Sequence, residues 1–146
     1  MISYSDVNDD RTGGGLVEDY LNITLGRDEL LILSSLALAH VGDGVYDLLV
    51  RAYLCKCGKA TAGGLHRETV RRVSAPAQAR AMDIIEPMLS DEELAVFRRA
   101  RNTKVHFVPQ NATRAQYHRA TGLEALFGSL YLSGQHDRIN KLFQAI

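Results

Sequence analysis

The chain has 146 residues, 46% of them hydrophobic, which suits one domain around a single core. No apolar run approaches the roughly 18 residues of a membrane-spanning helix, and the acidic opening MISYSDVNDDRTGGG lacks the apolar stretch of a secretory signal. The formal net charge is zero, yet residues 1–47 hold nine acids against two bases and residues 65–119 hold ten bases against six acids. A neutral total thus covers an acidic front and a basic middle, the asymmetry expected if one face meets an anion.

Residues 1–27 are polar, rich in Asp, Asn and Gly, and read as a loose acidic tail with at most a short helical turn near Leu16–Leu21. From residue 28 to 146 the pattern is that of one helical domain. Asp28 is the expected N-cap of a helix carrying Leu30, Leu31, Leu33, Leu36 and Ala37. A second helix is predicted from about Gly42 through Tyr46, Leu49 and Tyr53, ending at CGKATAGG. A basic third follows over about Leu65–Val73, and Ser74 caps a fourth with Pro76 in its first turn. Ser90 and Glu93 form a capping box for a fifth. After the TKVHFVPQNA loop, Thr113 opens a long helix to about Leu132, and Gly134 separates it from a last amphipathic one. No strand period extends beyond four residues, so an all-α fold of six or seven helices is predicted.

Two carboxylates have unusual neighbours. Glu124, in TGLEALFGSLYL, has Ala120, Thr121, Phe127 and Gly128 at helical contact positions, none able to neutralise it. Asp43 lies between Gly42 and Gly44, each about 1 kcal/mol less favourable in a helix than Ala. A close approach by another helix or a ligand would explain those glycines, and Gly128 makes the same case beside Glu124. Each acid either reaches solvent or pairs with an Arg, or else the two converge on a hard divalent cation such as Mg²⁺ or Mn²⁺. Asp47 is a solvated acid or reaches the same site through water. His40 is a helix-end cap or a base. The other histidines form no i, i+4 pair, against a zinc site. Cys55 and Cys57 are too close together for a bridge or a metal pair, and read as reduced thiols of a cytoplasmic protein.

The string SLALAHVGDGVYDLLVR resembles the signature helix of Mini-ribonuclease III. LHRETVRRVSAPAQA, DEELAVFRRARNTK, VPQNAT and TGLEALFGSLYL follow in that family's order, over about residues 30–146. The resemblance implies the all-helical ribonuclease III catalytic domain, homodimeric, without a separate double-stranded-RNA-binding domain. It implies that Asp43 and Glu124 are catalytic and bind Mg²⁺, with Mn²⁺ able to substitute. The implied activity is endonucleolytic cleavage of double-stranded RNA to 5′-phosphate and 3′-hydroxyl ends. The implied role is maturation of precursor 23S ribosomal RNA, with a ribosomal protein as a candidate helper. Full-length ribonuclease III carries further acids where this chain has Ala39 and Thr121, a reduction shared with Mini-ribonuclease III. Gly44 stands where Ala is usual, a small change at a spot expected to be tight.

Duplex RNA is recognised through shape and phosphates. Arg98, Arg99, Arg101 and Lys104 put four cations in seven residues, and Arg67, Arg71 and Arg72 form a second cluster. Each is either a solvated helix face or an RNA contact. Arg67, Arg71, Arg98, Arg101, Asn102 and Lys104 are the expected RNA-binding residues, with Gln78 a possible neutral contact. The small and apolar residues of the Asp43 helix are the expected dimer surface. The competing readings are a non-catalytic RNA-binding or ribosome-assembly module of the same fold, and a helical adaptor that binds no nucleic acid.

Overall fold

A computed structural model of the chain describes residues 18–58 and 61–146. Among them are seven α-helices and no strand: α1 (Arg27–Ile32), α2 (Ser35–Lys56), α3 (Ala62–Val73), α4 (Ala75–Ile85), α5 (Asp91–Arg101), α6 (Arg114–Leu132) and α7 (His136–Ala145), with a 3₁₀ turn at Glu86–Met88. The all-α expectation holds. No described helix is long and apolar enough to cross a membrane.

The helix starts follow local chemistry. Ser90 Oγ accepts from Glu93 N at 3.2 Å while Ser90 N donates to Glu93 Oε2 at 2.9 Å, which completes the expected capping box. Thr113 and Gln116 make the same pair at the start of α6. At the front of the domain the expected boundaries shift. Asp28 does not cap: Gly26 holds the N-cap position and Asp28 lies in the first turn of α1. The chain then breaks at Leu33 and restarts at Ser34, whose hydroxyl accepts from Ala37 N at 3.0 Å. Leu36 and Ala37 therefore belong to α2, which runs unbroken through Gly42 and Gly44. His40 is an exposed interior residue of that helix and caps nothing. Likewise α3 begins three residues before Leu65, where Thr61 Oγ1 accepts from Gly64 N at 3.1 Å. The turn expected near Leu16–Leu21 falls partly outside the described residues; Glu18–Asn22 form a bend closed by the Asp19 carboxylate.

Helix α6 is apolar on nearly every side, so it must be surrounded. It packs most extensively on α2, then on α5 and α4. Two groups of buried side chains result. One gathers Tyr46, Leu54, Met82, Ile85, Phe97, Leu123, Phe127 and Leu142, with Tyr46 edge-on to Phe127 at 5.4 Å between ring centroids. The other joins Leu38, Ala39, Ala100, Ala125 and Leu132 and receives Ile23 and Leu25, the latter also donating from its N to Leu132 O at 2.7 Å. Leu123 belongs to the first group and Ala125 to the second, so Glu124 projects at the seam between them.

Candidate active site

The α2–α6 crossing is a direct contact of backbones. A Cβ added to Gly42 would lie 1.6 Å from the Glu124 carbonyl oxygen, and one added to Gly128 would lie 1.9 Å from the Leu38 carbonyl oxygen. Only glycine fits at both places. Gly42 and Gly128 are thus the close approach that the sequence suggested, and they bring two acids 81 residues apart in the chain to one spot. Gly44 is different. A Cβ there meets nothing within 4 Å, so the expected tight position is open.

At this crossing Asp43 is exposed and Glu124 is only partly so. Burial pushes the Glu124 carboxyl from its ordinary 4.5 up to about 7, and the nearby Asp43 charge pushes the same way. The Gln78 side chain on α4 opposes both, lowering the Glu124 pKa, yet its approach stops short of a well-formed hydrogen bond and Nε2 has no partner. Among the described residues no Lys, Arg or His forms an ion pair with either carboxylate. Asp47 is bound to Arg51 at 2.6 Å, which accounts for it as a paired surface acid. Among the described residues no three His, Cys, Asp or Glu side chains converge, so the Asp43–Glu124 pair stands alone. Its donor set of two hard, mutually repelling oxygen ligands fits a small divalent cation that neutralises both.

A groove lies at the α5–α6 junction, lined by Arg101, Asn102, Lys104, Arg114, His118 and Arg119 among others, with no acid in its wall. Three of the expected RNA-binding residues, Arg101, Asn102 and Lys104, therefore share one surface. Arg101 is held there by its stack over Phe97 at 5.4 Å and by donating from Nε to Asn102 Oδ1 at 3.2 Å. Arg98 is exposed on α5 outside that wall. Arg67 and Arg71 are exposed on α3; Arg71 borders a separate cleft with Lys56, Arg72 and Arg80. Arg114 and Arg119 were missed in the sequence because they fall in the first turns of α6, beyond the basic run. Arg119 is already committed to Asp83 at 2.6 Å and Glu86 at 2.7 Å. Gln78 is 1% exposed and so is no RNA contact, contrary to its reading as a surface amide. Both cysteines are free.

A family model for the ribonuclease III domain matches residues 36–135, which contain all of α2 but its first residue, α3 to α6, and both acids. The chain belongs to the ribonuclease III family. Within it, this chain is similar to the Mini-ribonuclease 3 of Symbiobacterium thermophilum, at 43% identity over 79% of this chain and 88% of the relative. The Mini-ribonuclease 3 of Brevibacillus brevis is 42% identical over 82% of this chain and 89% of that one. In structure it is similar to a crystallised protein from Fusobacterium nucleatum, with a TM-score of 0.72 and 29% identity over 80% of this chain and 93% of the other. This chain is accordingly an endoribonuclease, in a family that acts on double-stranded RNA and depends on divalent metal ions. A non-catalytic module of the same fold is not favoured, since both acids are present and meet at the α2–α6 crossing.

Proposed function

We propose that Asp43 and Glu124 are the catalytic pair and jointly hold one Mg²⁺, with Mn²⁺ able to substitute, to cleave double-stranded RNA. The observation that carries this reading is the glycine-enforced crossing that sets two carboxylates together, with no ion pair to either among the described residues. The ion supplies charge neutralisation at the phosphodiester and makes water more acidic. The chain's own residues do the rest. Asp43 and Glu124 fix the ion's place, and the packed α2–α6 backbones keep that place rigid. Glu124 must be ionised to act, and so must release the proton that its burial favours up to about pH 7. Arg101 and Lys104, in the acid-free groove, attract and orient the phosphate backbone, with Asn102 a neutral contact. Arg67, Arg71 and Arg98 extend the basic surface.

The products carry 5′-phosphate and 3′-hydroxyl ends, and the substrate is precursor 23S ribosomal RNA in the cytoplasm, with a ribosomal protein as candidate helper. That assignment rests on the resemblance to Mini-ribonuclease III. A homodimer presents one site to each strand of a duplex. It is supported by the exposed apolar side chains of Leu31, Ile32 and Leu36, 61%, 84% and 49% exposed where α1 meets α2. The test is incubation of wild type and Asp43→Asn with a duplex-containing ribosomal RNA precursor, with and without Mg²⁺. Cleavage by wild type alone, and only with Mg²⁺, supports the reading. Equal cleavage by both proteins removes Asp43 from it.

A further inference from the structure

Gln78 is among the most deeply buried polar residues described, at 1% exposure, and its side-chain Nε2 has no hydrogen-bond partner. Buried amides without partners are rare in folded proteins, and one beside a reactive group calls for an explanation. Gln78 lies in α4, one turn in from a Ser74 N-cap that carries Pro76 in the first turn, and α4 packs against α6. Its backbone N donates to Ser74 O at 2.9 Å. The buried donor left without a partner is side-chain Nε2. α4 packs on α6, and the Gln78 side chain comes near enough to the Glu124 carboxyl to lower its pKa without completing a hydrogen bond.

The chemistry of the pair sets its direction. An ionised carboxylate only accepts, so the amide must turn its N–H₂ towards it. A carboxylate that gives one oxygen to a fixed donor has its other oxygen and its plane fixed as well, which is how groups behind a metal ligand orient it. Asp43 is exposed, whereas Gln78 is buried. We propose that Gln78 is a positioning residue for Glu124, donating from its buried amide to one carboxylate oxygen and leaving the other turned to Asp43 and the divalent ion. This inference rests on the reading of Asp43 and Glu124 as the metal pair.

The test measures thermal stabilisation of the full chain by Mg²⁺ in the absence of RNA, for wild type, Gln78→Met, Glu124→Gln and the double variant. Met fills a similar volume without a donor. Its half-saturating Mg²⁺ is expected to rise about ten-fold or more, while the metal-free melting temperature stays level or rises because the orphan amide is gone. In the Glu124→Gln background the same change is expected to add nothing, since the group it acts through is already altered. Wild-type Mg²⁺ dependence in Gln78→Met overturns the proposal, as does an equal penalty in both backgrounds, or a lower melting temperature with unchanged Mg²⁺ dependence. Gln78→Asn withdraws the amide by one methylene, carries the same expectation, and decides the matter if the Met variant does not fold. Absence of any Mg²⁺ stabilisation in wild type overturns the metal-pair reading itself, and the role of Gln78 with it.

Discussion

Removing the charge of Glu124 is expected to stabilise the metal-free protein, and only above a defined pH. The carboxyl titrates near its ordinary 4.5 when unfolded and at about 7 in the fold, because burial and Asp43 both disfavour the anion. Below about pH 4 the group is protonated in both states and contributes nothing. Between 4.5 and about 7 the native state binds more protons than the unfolded one, so stability falls as pH rises, and above about 7 the whole penalty is in force. At 1.36 kcal/mol per pH unit the span corresponds to about 3 kcal/mol. Glu124→Gln cannot ionise and escapes that penalty. At this chain length, 1 kcal/mol moves the melting temperature by about 3–4 °C, so the variant should melt about 10 °C above wild type at pH 8 in EDTA and close to it at pH 4. Thermal unfolding by circular dichroism across that range is the assay. Mg²⁺ at pH 8 should close the gap by stabilising wild type alone. A difference that does not change with pH, or a Glu124→Gln variant less stable than wild type at pH 8 in EDTA, would refute the electrostatic reasoning.

Other substitutions separate packing from chemistry. Gly42→Ala forces a methyl into the Glu124 backbone and should destabilise by about 3 kcal/mol or more with loss of cleavage, whereas Gly44→Ala meets open space and should stabilise by about 0.5–1 kcal/mol, both read from urea denaturation. Ser34→Ala removes the cap on which α2 restarts and should lose about 1 kcal/mol in the same experiment. Lys104→Gln should weaken duplex RNA binding and flatten its dependence on log salt by about 1, measured by filter binding at several salt concentrations. An unchanged slope would take Lys104 out of the RNA-facing surface.

Much of the site was legible in the sequence because its anomalies are local. An acid with only small or apolar helical neighbours, and glycines inside helices, stand out against the propensities they violate, and Glu124, Asp43, Gly42 and Gly128 all did. Capping chemistry was legible for the same reason at Ser90 and Thr113. What escaped was the tertiary setting. Nothing in a string of residues distinguishes a buried Gln78 from a surface one, since α4 is amphipathic either way and only its packing on α6 decides. Gly44 carried the same signal as Gly42 but lies two residues on, about 200° round the helix, at a position the crossing does not touch. The break between α1 and α2 was obscured because Leu33 and Leu36 continue an apolar period across it, while Ser34 supplies the cap that restarts the helix. The basic run RRARNTK was visible as charge, but its partner residues Arg114 and Arg119 join it only through the fold.

Crystals of the protein soaked in Mn²⁺ and measured for anomalous scattering at the manganese edge would locate the ion itself. One peak between the carboxylates of Asp43 and Glu124, absent in Glu124→Gln, is the expected result. A protein that cleaves duplex RNA but binds manganese only elsewhere would contradict a shared ion at the α2–α6 crossing.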